Sequence, residues 1–269
     1  MKENYRNEVL YYTFPAFEEY PEIVHAFTSR ECGVSTGYNS SLNMGVRTGD
    51  DPENVKTNYR IVCKTLGLNP DMVVLGNLVG GDTIRNVTKE DAGAGVFRDF
   101  PFEGTDGLLT DEPGIVLCAT FADCVPVFYY DPVKKVVGIA HSGWKGTALE
   151  IAGKMVERMQ SDYGCRPEDI IAGIGPSIGM CCFETDEDVF TEFVELPYLD
   201  DAWFYKKDNG KFDIDLWRIN LEMLLYAGIP EDRVHVSGLC TCCNSDVFFS
   251  HRASKGKRGT MAGIICMKE

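Results

Sequence analysis

The amino-acid sequence predicts an α/β (α+β) fold in which a mixed β-sheet is covered by helices. Short apolar runs typical of buried strands recur along the chain, and amphipathic patterns at helical spacing lie between some of them. The two kinds of element alternate irregularly, which favours a mixed sheet over a doubly wound parallel sheet. No internal repeat, low-complexity linker or shift in composition divides the chain, so we expect a single domain over residues 1–269.

The strands are predicted from short apolar segments bounded by turn-forming residues. These segments are residues 23–28, 72–75, 83–87, 115–121, 136–140, 170–174, 234–237 and 262–267. The segment 29–45 is rich in Gly, Ser and Asn, and we expect it to form a shaped loop.

Helices are predicted where apolar residues recur three and four positions apart. Such segments are residues 52–66, 148–163 and 212–227, and an acidic helix is expected over residues 186–194. Asp51 followed by Pro52 is a typical start for the first helix, and Gly67 is a typical end. Thr147 and Glu150 match the capping-box pattern, which predicts that the second helix begins there.

The overall charge and the hydropathy pattern exclude several classes of function. The chain carries a formal net charge of −15, whereas nonspecific binding to nucleic acid or to anionic lipid needs a basic surface. No segment reaches the roughly 20 apolar residues that span a bilayer, and the N-terminal residues lack the apolar core of a signal peptide. We therefore expect a cytoplasmic protein whose eleven cysteines are mostly free thiols.

Cys124 and His141 are the strongest candidates for chemistry, because each lies at the end of an apolar segment. Thiolate and neutral imidazole are both zinc ligands, so the pair could hold a catalytic zinc ion. The same side chains could instead form a thiolate–imidazole dyad with Cys124 as nucleophile, or they could be purely structural. His25 and His235 lie in short apolar strands, and we expect both to have structural roles.

Three further motifs give weaker hypotheses. Lys145 and the glycines around it could bind phosphate or a carboxylate, although the spacing is not that of a P-loop and a plain turn is the alternative. The cysteines of residues 240–243 could bind a metal, but they lack a second pair at zinc-finger spacing. His251 and Arg252 follow an aromatic pair and could contact a substrate.

A set of seven motifs covers nearly the whole chain. They are HAFTSRECGVSTG (25–37), SLNMG with GDDPENV (41–55), TDGLLT (105–110), ADCVPVFYYDP (122–132), HSGWKGT (141–147), GIGPSIG (173–179) and FFSHR (248–252). Together they resemble the YlmD/YfiH (FAMIN-like) family, long labelled polyphenol oxidases or multicopper laccases. The resemblance implies two mixed β-sheet layers flanked by helices, unlike the cupredoxin fold of true laccases. It also implies phosphorolysis of adenosine, inosine or methylthioadenosine, and deamination of adenosine.

The resemblance further implies zinc held by His, Cys and His. The second and third of these ligands fall on Cys124 and His141, but the first falls on Gly80, in LVGG where family members carry motifs such as QVHG. Glycine has no side-chain donor atom, so the alternatives are a weaker zinc site, a ligand borrowed from elsewhere, or an inactive protein. Copper is the weaker candidate metal, because four scattered histidines cannot supply the clusters of a multicopper site.

Motif position within the family also implies substrate contacts. Arg30, Lys145 and Arg252 are candidate contacts for an anion such as phosphate, and Asn43 is a candidate polar contact. Asp123, beside the candidate zinc ligand, is expected to orient a ligand or its loop rather than to act as a base.

The leading hypothesis is therefore a zinc-dependent purine nucleoside enzyme that takes a nucleoside and phosphate and is impaired by Gly80. Two other hypotheses remain open. One is a cysteine hydrolase that uses Cys124 and His141 directly, and the other is an inactive protein that still binds nucleosides.

Overall fold

The computed structural model describes residues 1–198 and 200–269. Within them the strands are β1 (Lys2–Arg6), β2 (Val9–Thr13), β3 (Ile23–Thr28), β4 (Val73–Leu75), β5 (Ile84–Asn86), β6 (Gly107–Thr110), β7 (Val116–Phe121), β8 (Val125–Asp131), β9 (Val136–Ser142), β10 (Ile171–Ile174), β11 (Glu184–Thr185), β12 (Phe204–Lys206), β13 (Phe212–Ile214), β14 (Val234–Val236) and β15 (Met261–Met267). The helices are α1 (Pro15–Glu18), α2 (Pro52–Leu66), α3 (Trp144–Ala148), α4 (Ile151–Tyr163), α5 (Glu187–Thr191) and α6 (Leu216–Tyr226).

Two six-stranded sheets make up the body of the molecule. The first has the strand order β1-β2-β3-β15-β7-β4, and the second has the order β14-β10-β8-β9-β6-β5. Each is mixed, because β4 runs parallel to β7, β5 to β6 and β14 to β10, while the other neighbours are antiparallel. The expected two layers of mixed sheet flanked by helices are therefore confirmed. A third, three-stranded sheet of β11, β13 and β12 was not predicted.

The core is layered, and β8 shows how its layers are separated. All seven residues of this strand are buried, as expected for a strand covered on both faces. Successive side chains point to opposite faces of a strand. Phe128 and Tyr130 therefore pack between the two large sheets, whereas Val127 and Tyr129 pack on the face that α4 and α6 cover. This strand was not predicted from the sequence.

Helices cover the outer faces of both sheets. On the first sheet, Tyr59 and Val62 of α2 pack with Cys118 and Ile264. Asp51 caps α2 by accepting a hydrogen bond from the backbone of its first turn, and the helix ends at the left-handed Gly67, as predicted. No helix in the described part of the chain is both long and apolar enough to cross a membrane.

The predicted capping box at Thr147 is wrong. The segment forms two helices, α3 and α4, separated at Glu150, which has a left-handed φ of 60°. The Thr147 hydroxyl instead lies 2.9 Å from Ser142 Oγ and accepts a hydrogen bond of 3.2 Å from Asn220 Nδ2. All three side chains are buried, so this network satisfies polar groups that a helix cap would leave unpaired.

The helix predicted over residues 212–227 begins later than expected. Residues Phe212–Ile214 form β13, because their backbone pairs with β11 and β12. Asp215 then caps α6 by accepting a hydrogen bond of 3.1 Å from the backbone N–H of Arg218. The predicted acidic helix is likewise confined to the five residues of α5.

Candidate functional site

Cys124 lies in the short turn between β7 and β8, and the preceding residue fixes this turn. Asp123 has a left-handed φ of 86°, and its buried carboxylate accepts three hydrogen bonds. The donors are the Thr241 hydroxyl at 2.7 Å, the Ser250 hydroxyl at 3.1 Å and the Arg252 backbone N–H at 2.7 Å. Asp123 therefore ties the turn that carries Cys124 to the C-terminal loop.

His141 lies near the end of β9 and is held by Asp106. Its Nδ1 lies 2.9 Å from Asp106 Oδ1, and its backbone N–H donates to the Asp106 carbonyl at 2.7 Å. The same carboxylate accepts hydrogen bonds from the backbone N–H groups of Val79, Gly80 and Gly81. Asp106 thus orients the imidazole and the LVGG loop together, and it leaves His141 Nε2 for another group.

Gly143 allows the cysteine and the histidine to lie next to each other. A Cβ placed on Gly143 would lie 3.3 Å from Cys124 Sγ and 3.4 Å from His141 Cε1. The first distance is shorter than nine in ten contacts of real Cβ atoms, and the second lies at the edge of ordinary van der Waals contact. The glycine therefore gives the two functional side chains room to pack against the same backbone.

The charges at this site favour a protonated imidazole. Burial alone would lower the pKa of His141, but the charge of Cys124 and the hydrogen bond to Asp106 raise the pKa to about 10. Burial would raise the pKa of Asp106, yet its hydrogen bonds from His141 and Gly81 hold that pKa below its usual range. In the absence of a bound metal, these opposite shifts favour an imidazolium beside the Asp106 carboxylate.

Two adjoining cavities meet at this site. We call the first, of about 250 Å³, the histidine cavity; its lining includes His141, Arg47, Leu78, Phe100 and Thr260. We call the second, of about 470 Å³, the tryptophan cavity; its lining includes Trp144, Phe183, Glu184, Asp186, Leu216, His251 and Arg252. Ala122, Cys124 and Arg258 line both cavities. A ligand in either cavity would therefore meet Cys124 and Arg258.

Arg258 is a candidate anion-binding residue that was not predicted from the sequence. Its Nε is buried and has no hydrogen-bond partner among the described residues. Burial lowers the pKa of this guanidinium, against the opposing effect of Cys124 and Asp123. An unpaired buried donor on a cation is costly unless an anion satisfies it. The sequence showed a basic loop here, but only the burial of Nε distinguishes this cation from its neighbours.

Two of the predicted anion contacts donate hydrogen bonds to backbone carbonyl groups. Arg30 donates hydrogen bonds to the carbonyls of Ser40 and Ser245, and its guanidinium stacks 4.6 Å from the centre of the Phe249 ring. Arg252 donates to the carbonyls of Cys182 and Glu184. Arg252 also lines the tryptophan cavity. The roles of Arg30 and Arg252 as substrate contacts stay predictions.

The other two predicted contacts line neither cavity. Asn43 is fully buried, donates to Thr48 and Asp50, and accepts from the backbone of Gly45 and Thr260. It therefore shapes the loop that lines the histidine cavity. Lys145 is exposed beside the Trp144 ring and lines neither cavity. The substrate roles of both residues stay predictions.

The donor set for a zinc ion at this site is incomplete. Cys124 offers a thiolate and His141 offers Nε2, whereas catalytic zinc sites use three protein ligands. Among residues 1–198 and 200–269, no third His, Cys, Asp or Glu completes a group with this pair. Gly80 has a φ of 75°, and a Cβ there would meet nothing within 4 Å. The position of the implied first ligand thus has space for a side chain, and the present pair alone does not fit a catalytic zinc site.

Comparison with known proteins supplies the family. Residues 24–268 match the family model described as multi-copper polyphenol oxidoreductase laccase. The chain is 39% identical over 249 residues to the purine nucleoside phosphorylase YlmD of Geobacillus stearothermophilus, covering 91% of this chain and 90% of the relative. It is 36% identical to the protein of the same name from Bacillus subtilis, covering 92% and 90%.

Solved structures agree with the sequence comparison. The crystal structure of the Bacillus licheniformis hypothetical protein YfiH superposes with a TM-score of 0.92 at 40% identity, over 97% of this chain and 96% of that chain. The crystal structure of YlmD from Geobacillus stearothermophilus superposes with a TM-score of 0.90 at 36% identity, over 100% and 98%. Sequence motifs, whole-chain identity and fold point the same way, and the chain belongs to the YlmD/YfiH family.

Proposed function

We propose that this chain is a cytoplasmic purine nucleoside phosphorylase that acts where its two cavities meet. The observation that carries the proposal is the similarity of this chain to relatives named purine nucleoside phosphorylase. They are 39% and 36% identical to it in alignments that cover more than nine-tenths of its length. The arrangement around Cys124, His141 and Arg258 supports it, because it offers a proton donor and an anion contact at one point.

The tryptophan cavity suits the nucleoside. Trp144, Phe183 and Leu216 give it an apolar wall against which a purine ring can stack. Glu184 and Asp186 add carboxylates that can accept hydrogen bonds from ribose hydroxyl groups. In this proposal the ribose therefore lies toward the acidic side of the cavity, with C1′ directed at the wall that the two cavities share.

Phosphate binds at Arg258, on the side of the histidine cavity that also contains Arg47. One phosphate oxygen attacks C1′ of the ribose, the C1′–N9 bond breaks, and its electron pair goes to the purine. The His141 imidazolium donates a proton to the departing base, and Asp106 stabilises the charged ring before the transfer. The products are the free purine and ribose 1-phosphate.

Zinc dependence and adenosine deamination are the finer parts of the proposal. Cys124 and a neutral His141 would hold zinc more weakly than a complete set of three ligands, because Gly80 contributes no donor atom, and in that zinc-bound state His141 would not be the proton donor. Deamination needs an activated water molecule, and sites that activate water have the complete ligand set. We therefore expect phosphorolysis to exceed deamination in this protein.

The test is chromatography of adenosine and inosine incubated with the pure protein, with and without phosphate, in buffer with and without added zinc. Phosphate-dependent release of adenine or hypoxanthine is expected. Inosine formed from adenosine measures deamination in the same samples. If neither nucleoside is converted under any of these conditions, the proposed activity is wrong.

A cysteine hydrolase is the second candidate, and the Asp106–His141 hydrogen bond beside Cys124 favours it. A nucleophilic thiol is activated by a base, and a third group orients that base. In this candidate Cys124 is the nucleophile, His141 is the base and Asp106 orients it. In that case iodoacetamide should abolish hydrolysis of the substrate, a chelator should not, and a substrate should protect the thiol. If turnover disappears with the chelator and returns with zinc, this candidate is excluded.

A third outcome would identify an inactive nucleoside-binding protein. Ligand binding to the folded state raises its thermal stability by mass action, with or without turnover. A rise in Tm with inosine, in a protein that converts neither nucleoside, would support that alternative.

A further inference from the structure

Four cysteines outside the catalytic site come together at one point on the surface. They are Cys181, Cys182, Cys240 and Cys243, and all four Sγ atoms lie within 4.8 Å of one another. Cys243 Sγ lies 3.5 Å from both Cys181 Sγ and Cys182 Sγ. Within the described residues this is the one group of three or more His, Cys, Asp or Glu side chains with such spacing.

The sulfur spacing fits a single tetrahedral metal ion. Zinc lies about 2.3 Å from each thiolate sulfur, so a tetrahedral site places the sulfurs about 3.8 Å apart. The observed separations, from 3.5 Å to at most 4.8 Å, bracket this value. A cluster of several iron atoms would hold its sulfurs farther apart than one ion does, so a mononuclear site fits this group better.

The chain around the four thiols is also arranged for a metal. Cys240 and Cys243 are separated by two residues, which is a spacing of structural zinc sites. The Gly179 backbone N–H donates to Cys240 Sγ at 3.3 Å, and Arg252 donates to the Cys182 carbonyl at 2.8 Å. Such contacts orient the ligands, and the nearby cation offsets the charge that four thiolates bring.

We propose that Cys181, Cys182, Cys240 and Cys243 bind one Zn²⁺ ion in a closed, structural site separate from Cys124 and His141. The ion replaces the four thiol protons, which pass to solvent, and it leaves no open position for a substrate. The proposal does not depend on the proposed catalytic activity.

The ion would link two segments, residues 177–182 and 240–243, that hold the turn carrying Cys124. Ser177 and Cys240 form a bridge between these segments, and Thr241 donates its backbone N–H to the Ser177 carbonyl at 3.0 Å. Ile178 and Thr241 both donate to Asp123, the first to its carbonyl and the second to its carboxylate. Zinc bound by the four thiols would therefore stabilise the hydrogen bonds that Ile178 and Thr241 make to Asp123, the residue before Cys124.

Cobalt titration tests the site. The protein carries Cys124→Ser, so that the catalytic pair contributes no thiolate signal, and it is reduced, stripped of metal and titrated with Co²⁺. We expect thiolate-to-cobalt charge transfer and the intense visible bands of tetrahedral cobalt, saturating at one ion per chain, and their displacement by Zn²⁺. Absence of these bands in the reduced, folded protein would overturn the proposal.

Three further substitutions identify the ligands. Cys181→Ser and Cys243→Ser change exposed thiols, so folding can be checked independently by circular dichroism. Each should weaken cobalt binding by about tenfold or more and remove the rise in Tm that Zn²⁺ gives. Cys242→Ser is the matched control, because its thiol lies in the same loop but outside the group of four. Equal losses in Cys242→Ser, or a disulfide that forms while reduced protein takes up no metal, would contradict the assignment.

Discussion

Cys124 shows how much of the site depends on single residues. Its charge helps to hold His141 protonated, and its turn is fixed through Asp123. We predict that Cys124→Ser reduces phosphorolysis by roughly 100-fold or more, because the neutral hydroxyl removes the charge that helps to raise the pKa of His141. Steady-state assays with inosine and phosphate measure this. Cys32→Ser, at an exposed thiol, is the control, and full activity in Cys124→Ser would contradict both enzyme hypotheses.

Gly80 is the residue at which this chain departs from the implied zinc site. We predict that Gly80→His raises zinc affinity by about tenfold or more, because a side chain there meets open space and adds a third donor. Competition with a chromophoric chelator measures the affinity. Gly210→His is the matched control, since Gly210 has a similar φ of 81° and equally open surroundings. Equal affinities in the two variants would show that position 80 does not face the metal.

Arg258 carries the prediction that concerns phosphate. We expect Arg258→Gln to raise the KM for phosphate by about tenfold or more, because a charge-assisted hydrogen bond to an anion contributes about 1.5–3 kcal/mol. The KM for inosine should change much less, and this difference separates anion binding from a general structural effect. Lys257→Gln, at the exposed neighbouring position, should leave both constants unchanged. A rise confined to the KM for inosine would contradict the role assigned to Arg258.

At the scale of elements, the junction of α3 and α4 depends on a buried network rather than on a helix cap. We predict that Thr147→Ala lowers the free energy of unfolding by about 1–3 kcal/mol, because it leaves buried polar groups of Ser142 and Asn220 short of a partner. Urea denaturation measures the change. Thr191→Ala removes an exposed hydroxyl at the end of α5 and should cost less than about 0.5 kcal/mol.

The elements with local signals were predictable from the sequence, and those defined by distant pairing were not. Asp51, Pro52 and Gly67 act within one helix, so α2 could be placed correctly. Residues 212–214 have a helical apolar pattern, but backbone pairing with β11 and β12 makes them a strand. Tertiary pairing overrides local propensity in such short segments.

The same reasoning applies to the candidate site. Cys124 and His141 could be predicted because each ends an apolar segment within a recognisable motif. Asp106 lies in a quoted motif, yet its bond to His141 joins positions 35 residues apart. The four-thiol group joins cysteines more than 60 residues apart, which is why residues 240–243 lacked a partner in the sequence.

At the scale of the whole molecule, a buried neutral histidine makes stability depend on pH. Burial lowers the pKa of His25 to about 4, and its Nε2 accepts a hydrogen bond of 2.7 Å from the Phe14 backbone. The unfolded chain binds a proton near pH 6.5, so it takes up more protons than the folded chain between these values. Stability is therefore lost as the pH falls from about 6.5 towards 4, and this residue has no such effect above that range.

We predict that His25 alone costs the folded state about 3 kcal/mol at pH 4 relative to pH 7. Urea denaturation across this pH range should show a smaller loss in His25→Gln, which can accept the same hydrogen bond without titrating. His251→Gln, at an exposed histidine, is the control and should follow the unchanged protein. Identical acid profiles for all three proteins would show that His25 is not the titrating group.

The way Asp106 holds the LVGG loop has an evolutionary consequence. The carboxylate binds this loop through the backbone N–H groups of residues 79–81, which every amino acid except proline can provide. A substitution at position 80 can therefore delete or restore a metal ligand while the three N–H donors to Asp106 remain, although a side chain there is strained by the left-handed φ of 75°. A lineage could lose and regain the first of its three ligands through changes at one codon, and a protein engineer could follow the same route.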